Sequence, residues 1–396
     1  MRLSIFRVAA LAAALHTSSA SPLGSRSDGL KVVATTTTAD GQVVDWILPE
    51  SQLTGNIANT PPAPPRKRGL RDSESSKAAV RALLARDPGR QGPNGTVPIL
   101  RSSTTTMPTK RLPSRLDDGS FAKTAAAEDS YAGKHWYAST GQNVANKGGK
   151  GAFSLFKAFV QSSADFSLLQ TAVIRNNAPH AGTGAVTQTV EAGWINYPNQ
   201  IAAPHLFSYF TTNGYSADAD NVGGWNRDHA GWVQVDASIY PGIAFAPLST
   251  DGGAQYEVEI GYYLSGGNWW LWCLDRYVGY YPASLFAQGG VRAADTLADH
   301  ADTIDFYGEI YNSETALTTT DMGSGEFPAA GYGKAAYIRQ IQYINTGGSY
   351  VDYNGQSQLV VSDSGRYNIA PTWNSGSDWG SYFFLGGPGA GGKIGA

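Results

Sequence analysis

From residue 131 onward, the chain consists of short segments in which apolar and polar residues alternate, separated by turns rich in Gly, Asn, Asp and Pro. The segments are AVTQTVEAGWI (185–195), HLFSYFTT (205–212), GWVQVDASI (231–239), AQYEVEIGYYL (254–264), NWWLWCL (268–274), TIDFYGEIYN (303–312), SQLVVSD (357–363) and SYFFLGG (381–387). Alternation with a period of two is typical of antiparallel β-strands. No regular succession of strands and helices occurs. The pattern predicts an all-β fold, an antiparallel β-sandwich of two sheets or a barrel.

The first 130 residues differ from this region in charge. Residues 1–130 contain 17 Lys and Arg against 11 Asp and Glu, whereas residues 131–396 contain 12 against 21. Opposite net charges suggest a basic leader that docks on an acidic body by electrostatic attraction and later leaves. A disordered linker is the alternative. We expect a propeptide with some α/β content over residues 21–125, including the helix-like SSKAAVRALLAR (75–86), and a β-sandwich domain over residues 126–396.

Residues 1–20 have the composition of a secretory signal peptide. Arginines precede the apolar run VAALAAAL, and small residues follow it. The run is too short to span a bilayer, so we expect a secreted, extracellular protein that has no membrane partner. In the leader, the Asn94-Gly95-Thr96 sequon makes Asn94 a candidate N-glycosylation site.

Several kinds of chemistry lack their expected residues. Cys273 is the only cysteine and lies among apolar neighbours, so it is predicted to be an inert core thiol. The sequence contains no H-E-x-x-H or Cys/His cluster for a metal, no G-x-S-x-G and no phosphate-binding loop. An acidic body is also a poor binder of nucleic acid. We therefore expect an activity without metal, cofactor or nucleic acid.

Two strands carry a carboxylate in an unusual place. Side chains alternate between the faces of a strand, so Glu191 shares a face with Thr189 and Gly193. This face leaves room for a substrate backbone. By the same parity, Glu309 lies on the polar face of its segment, opposite an apolar face. Two carboxylates brought together can share a proton, so that one takes a proton and the other donates one. Parity alone leaves a structural or solvated role open for each glutamate.

Glu257 and Glu259 are a competing pair. They also alternate on one strand face and could serve as the two acids of a glycoside hydrolase. A solvated face is the simpler interpretation of two acids at this spacing. A carbohydrate-binding β-sandwich without catalysis is a further alternative. The acidic run DHADTID (299–305) is predicted to be a loop rather than a cation site.

An ordered series of motifs resembles the neprosin family of secreted glutamic peptidases. The series is PNGTVPILR (93–101), FSLLQTAV (166–173), VEAGWINYP (190–198), PHLFSYFTTNGY (204–215), NWWL with VGYYPASLF (268–286), YGEIYN (307–312), DMGSGEFP (321–328) and FFLGGPG (383–389). The resemblance implies a sandwich of two antiparallel sheets, made as a zymogen, that cleaves peptide bonds at acid pH, characteristically after proline. The cysteine pair that many plant relatives carry is absent.

The resemblance also implies roles for particular residues. The family's catalytic glutamates match Glu191 and Glu309, one activating a water and the other protonating the leaving nitrogen. Trp194, Tyr307 and Tyr311 are candidates for substrate binding, although parity puts Trp194 opposite Glu191. The expected partners are peptide or protein substrates, with the propeptide as inhibitor. Removal of the propeptide is expected after Pro108 or Pro113 by self-processing, or after Lys110-Arg111 by another enzyme.

Overall fold

A computed structural model describes residues 29–53, 55–64, 87–101, 107–113, 130–355, 358–376 and 378–391. The expected signal peptide (1–20) and the helix-like piece (75–86) lie outside the described residues. The fold is mostly β, as the alternation predicts. Within the ranges given above, no helix is long and apolar enough to cross a membrane.

The leader contributes a small sheet. Its strands are β1 (Val32–Thr37), β2 (Val43–Ile47) and β3 (Val97–Leu100), which pair antiparallel in the order β1-β2-β3. Short 3₁₀ turns at Pro49–Gln52 and Pro88–Arg90 flank these strands. This part of the leader is therefore β-structured.

The remaining strands form one large sheet. They are β4 (Lys134–Ser154), β5 (Phe166–His180), β6 (Gly184–Tyr197), β7 (Ile201–Thr211), β8 (Gly223–Trp225), β9 (Val233–Gln234), β10 (Glu257–Ser265), β11 (Asn268–Cys273), β12 (Arg276–Pro282), β13 (Ala301–Asn312), β14 (Ala336–Asn345), β15 (Tyr350–Asp352), β16 (Leu359–Val361), β17 (Asn368–Thr372) and β18 (Tyr382–Gly386). Further 3₁₀ turns lie at Ala283–Gly290, Ala293–Asp295 and Pro328–Ala330.

The large sheet folds over itself because β4 belongs to both of its layers. Its main order is β8-β7-β6-β5-β13-β4-β10-β11-β12-β9. The first part of β4 pairs with β13 and its last residues pair with β10, while β14 pairs with β4 as well. The resulting sandwich-like arrangement encloses one large apolar core between its layers, with Trp194, Phe306 and Leu169 from one layer and Tyr262 and Trp269 from the other.

Strand β4 is absent from the sequence prediction. Its 21 residues, KHWYASTGQNVANKGGKGAFS, mix glycine, asparagine and lysine, so no sustained alternation marks it. Four neighbouring strands, β10, β13, β14 and β16, supply its hydrogen bonds and decide its conformation. Conversely, GWVQVDASI is largely loop and keeps only Val233–Gln234 as a strand.

The leader packs on the body mainly through apolar and neutral contacts. Val44 and Trp46 join the main core. Gln42 donates to the carbonyl of Gly242 at 2.6 Å, and Gln52 donates to the carbonyl of Gln234 at 2.9 Å. Arg90 and Arg101 of the leader form their ion pairs within the leader itself. Among the described residues, the expected electrostatic docking is concentrated in one side chain, Lys110.

Candidate active site

Glu191 and Glu309 lie on the same face of the sheet, on two strands that flank β5. Glu191 on β6 pairs with Ala172, and Glu309 on β13 pairs with Leu168. Both side chains are fully buried, on the face of the sheet turned away from the main core. Face parity along the two segments predicts this orientation for each residue. We call the pair the dyad.

Lys110 of the leader joins the two carboxylates. Its Nζ lies 2.6 Å from Glu309 Oε2 and 3.2 Å from Glu191 Oε2. The ammonium also lies 5.6 to 5.7 Å from the ring centroids of Phe207, Trp225 and Tyr307, which surround it as a cation–π cage. Lys110 is completely buried. The side chain of Lys110 thus occupies the space between the two buried carboxyl groups.

Gln170 is a third polar group at the centre of the dyad. It lies on β5 opposite Gly193 of β6 and Tyr307 of β13. Its Nε2 donates to Glu191 Oε2 at 2.8 Å, and its Oε1 accepts from Lys110 Nζ at 2.5 Å. One amide therefore fixes the position of one glutamate and of the lysine together.

Hydroxyl groups complete the surroundings of Glu191. Tyr215 donates to Glu191 Oε1 at 2.5 Å and Thr189 at 2.9 Å, while Tyr307 donates to Oε2 at 3.4 Å. Burial raises the pKa of Tyr215 and of Tyr307 well above 10, with the negative charge of Glu191 as a further cause. Both therefore stay phenols and keep donating. Tyr215 has φ 63°, in the left-handed region, which costs energy for a residue other than glycine. The residue that adopts this strained conformation is the one that contacts Glu191.

Two basic side chains, Lys110 and His135, contact Glu309. His135 Nδ1 lies 2.6 Å from Glu309 Oε1, on the side opposite the Lys110 contact. Burial by itself raises the pKa of Glu309, but the charge of Lys110 and the hydrogen bond and charge of His135 outweigh it, so the pKa lies below its usual 4.5. Tyr311 packs edge-on against the His135 ring at 5.1 Å between centroids. Tyr311 therefore positions the imidazole as well as lining the face.

The expected substrate-binding residues do not all lie on this face. Tyr307 and Tyr311 lie beside the dyad, and Tyr311 is partly exposed. Trp194 is fully buried in the core, and its Nε1 donates to the carbonyl of Ser154 at 2.9 Å. Because a core side chain has no surface for a ligand, the expectation of a substrate contact at Trp194 is wrong. Asn94 is exposed in a turn, and its glycosylation stays a prediction.

Gly193 was expected to lie on a face that leaves room for a substrate backbone, but in the structure it faces the backbone of β5. A Cβ at this position would collide with the carbonyl of Leu169 and the Cα of Gln170. The glycine therefore allows the backbones of β6 and β5 to approach closely beside Gln170, rather than a substrate backbone to approach the sheet.

The competing carboxylates are engaged elsewhere. Glu257 forms a buried bidentate ion pair with Arg339, with distances of 2.6 and 2.8 Å, and accepts from Tyr337 at 3.0 Å. Glu259 pairs with Lys150 at 3.1 Å and accepts from Trp272. Each acid has its own cation, so the two do not form a proton-sharing pair.

The structure agrees with the expectation for Cys273 and only in part with that for the acidic run DHADTID. Cys273 is buried as expected, and burial raises the pKa of its thiol well above 9. The run DHADTID is only partly a loop, because β13 already begins at Ala301. In the described part of the chain, no group of three or more His, Cys, Asp or Glu side chains is arranged to hold a metal.

Sequence reasoning missed four residues of the site: Lys110, Gln170, His135 and Tyr215. Gln170 has a signal in retrospect, because it is a polar residue inside the apolar run FSLLQTAV. Tyr215 follows Asn-Gly, which marks the turn that carries it. Neither Lys110 nor His135 has a distinguishing local pattern.

A comparison with family models agrees with the resemblance of the motifs. A family model described as Neprosin matches residues 163–388. A crystal structure of scytalido-glutamic peptidase with a transition state analog inhibitor is similar at 6% identity and a TM-score of 0.34, covering 64% of this chain and 98% of that chain. Another structure of that peptidase, with a peptide-based transition state analog, matches at 7% identity and a TM-score of 0.30, covering 64% and 97%.

Proposed function

Since the chain belongs to the Neprosin family, we propose that it is a glutamic peptidase in which Glu191 and Glu309 hydrolyse peptide bonds at acid pH. The observation that supports this proposal most directly is the contact of one ammonium with both carboxylates, at 2.6 and 3.2 Å. Two carboxylates that reach the same atom can also act on the same water and the same peptide bond.

In the proposed reaction, a water replaces the ammonium of Lys110 after the leader has left. Two neighbouring carboxylates do not easily both stay ionised, so they share one proton. The hydrogen bond and charge of His135 lower the pKa of Glu309, which favours an ionised Glu309. The shared proton is left to Glu191.

The bond changes follow from these protonation states. Glu309 takes a proton from the water while the oxygen of the water attacks the carbonyl carbon of the peptide bond. Glu191 donates a hydrogen bond to the carbonyl oxygen and then gives its proton to the leaving nitrogen as the C–N bond breaks. The products are a carboxyl terminus and an amino terminus, and transfer of the proton from Glu309 to Glu191 restores the pair. Gln170, Thr189 and Tyr215 hold Glu191 in place.

We propose further that the chain is secreted as a zymogen and is latent because Lys110 fills the dyad. The segment Met107–Pro113, which we call the plug, carries Lys110 across the sheet. Glu309 must be ionised to hold the ammonium, so acidification favours release of the plug. Cleavage after Pro108, after Arg111 or after Pro113 would leave a different N-terminal residue on the mature chain. Mass spectrometry of the mature N-terminus distinguishes the three. Preference for proline is proposed from the family resemblance alone.

A peptide mixture incubated with the full chain at about pH 3 and about pH 7 tests the proposed function. We expect cleavage only at the acid pH, unaffected by chelators and by inhibitors of serine or cysteine peptidases. Glu314→Gln, an exposed acid after β13, is the matched control for variants of the dyad. Absence of cleavage at both pH values, or abolition by a chelator, would overturn the proposal. Release of sugars would favour a glycoside hydrolase instead.

A further inference from the structure

The plug fills an apolar pocket beside the dyad with the side chain of Met107. Only 8% of Met107 is exposed. It belongs to an apolar cluster that is separate from the main core and lies on the dyad's face of the sheet. Its buried partners in this cluster include Phe166, Leu168, Ile195, Phe207, Tyr209 and Trp225. We call this the Met107 pocket.

The pocket is built from the body alone. The ring of Trp225 lies 5.4 Å from that of Phe207 and 5.3 Å from that of Tyr209, measured between centroids. These aromatic rings therefore support one another without the leader. Once the plug leaves, an apolar cavity next to the dyad remains open. An exposed apolar cavity beside catalytic groups is the usual setting for a ligand side chain.

The body binds the backbone of the plug on both sides of Lys110. Trp225 Nε1 donates to the carbonyl of Pro108 at 3.0 Å, and the Tyr137 hydroxyl donates to the carbonyl of Arg111 at 3.0 Å. Every peptide offers carbonyl groups at these places, so neither contact depends on the sequence that is bound. The two contacts also fix a direction, from β8 toward β4 across the strands.

The side chains of the plug differ in how far the body buries them. Thr109 and Arg111 are exposed and border an open groove, so the body exerts little selection at these positions. Leu112 is partly buried against the cluster that contains Tyr137 and Tyr307. Met107 and Pro113 are the buried apolar residues of the plug, and Met107 packs in a cluster of large apolar side chains of the body. We therefore expect the Met107 pocket to select by side chain.

We infer that the Met107 pocket is a substrate subsite that selects a large apolar side chain, such as Met, Leu or Phe, on the amino-terminal side of the cleaved bond. This inference rests on the proposed peptidase function. Met107 precedes Lys110 by three residues, so the selected residue lies about three positions before the dyad in an extended chain. The plug thus acts as an imitation of a substrate, with Lys110 in the place of the reacting bond.

The first test measures the hold of the pocket on the plug and does not require peptidase activity. Trypsin is added to the full chain at neutral pH, and cleavage after Lys110 or Arg111 is followed by mass spectrometry. Met107→Ala should speed this cleavage about 10- to 100-fold, because a large side chain loses its apolar burial and the open population rises. Thr109→Ala, at an exposed position, is the matched control and should match the wild type. Equal rates for Met107→Ala and wild type would overturn the inference.

The second test uses the acid-treated full chain and a mixture of peptides that differ only in one position upstream of the cut. Peptides with Met, Leu or Phe about three residues before the cleaved bond should be cut about 10- to 100-fold faster than those with Ala or Asp. Ile195→Phe, which fills the pocket, should remove this preference. Cleavage with no preference at this position would overturn the subsite and leave the peptidase function intact. Cleavage of no peptide would overturn the proposed function and the subsite together, while the trypsin result would still report how the pocket holds the plug.

Discussion

Glu191 and Glu309 reach the same atom, Lys110 Nζ, although their strands never pair with each other. Strand β5 lies between them, and their partners on it, Ala172 and Leu168, are four positions apart. Each glutamate therefore reaches back toward Gln170, which lies midway between those two partners. The register of one central strand decides whether the dyad forms at all.

Replacing Lys110 by Gln should let the full chain become active at a higher pH than the wild type. The variant loses the hydrogen bond to the charged Glu309, which contributes about 1.5–3 kcal/mol, and the ion pair with Glu191, so opening of the plug should become at least about 10- to 100-fold more favourable. Peptide cleavage measured across a pH series checks this. Lys157→Gln, at an exposed position, should activate as the wild type does. An unchanged activation pH for Lys110→Gln would show that the plug is held by other contacts.

Acid should release the plug at a pH below the ordinary pKa of a glutamate. The pKa of Glu309 lies below 4.5 in the folded chain, mainly because Lys110 and then His135 outweigh the effect of burial. A carboxyl with a lowered pKa contributes stability above its ordinary pKa, and this contribution is lost as the pH falls through the lowered value. Hydrogen exchange of residues 107–113 should therefore accelerate only below pH 4.5.

The variant His135→Gln should change the pH at which residues 107–113 lose their protection from hydrogen exchange. Removing the imidazole takes away a cause of the lowered pKa of Glu309, so the loss of protection should move to higher pH. A transition that stays at the same pH in His135→Gln would contradict the assigned control of Glu309 by His135.

Gln170 should act by positioning the dyad. Gln170→Leu keeps a similar volume but removes the donor to Glu191, so we expect kcat to fall by as much as about 100-fold while KM changes little. The pH profile of kcat should change as well, because the environment of Glu191 changes. A variant that lowers only the melting temperature, with kcat and its pH profile unaltered, would assign Gln170 a purely structural role.

Trp194 and Tyr311 should behave oppositely when replaced. Trp194→Phe removes a hydrogen bond and some volume from the core, so the free energy of unfolding should fall by about 1–3 kcal/mol with KM unchanged. Tyr311→Leu, on the face of the dyad, should raise KM. Thermal unfolding and peptide kinetics on the same two variants separate the effects. A raised KM in Trp194→Phe at unchanged stability would restore it as a substrate contact.

Much of the site was predictable because β6 and β13 keep a clean period of two. Face parity along VEAGW and YGEI is enough to orient Glu191 and Glu309, and the same rule correctly separates Trp194 from them. Parity cannot supply the strand order. That the two glutamates share β5 as a neighbour follows only from the long-range pairing of the sheet.

Lys110 shows why the rest could not be predicted. It is one of 17 basic residues in the first 130, and nothing in MPTKRLP distinguishes its side chain from the adjacent Arg111. Lys110 is fully buried and Arg111 is exposed, because the direction of the plug across the groove turns only one of them toward the dyad. Net charge likewise suggested electrostatic docking of the whole leader, whereas the described contacts of β2 with the body are apolar.

The most direct test of the proposed dyad is peptide cleavage at acid pH by Glu191→Gln and Glu309→Gln, each compared with Glu314→Gln. We expect each dyad variant to fold and to lose cleavage by at least about 100-fold, the usual contribution of a group that transfers a proton in the transition state. Glu314→Gln should cleave as the wild type does. Full activity in a folded Glu191→Gln or Glu309→Gln chain would contradict the account.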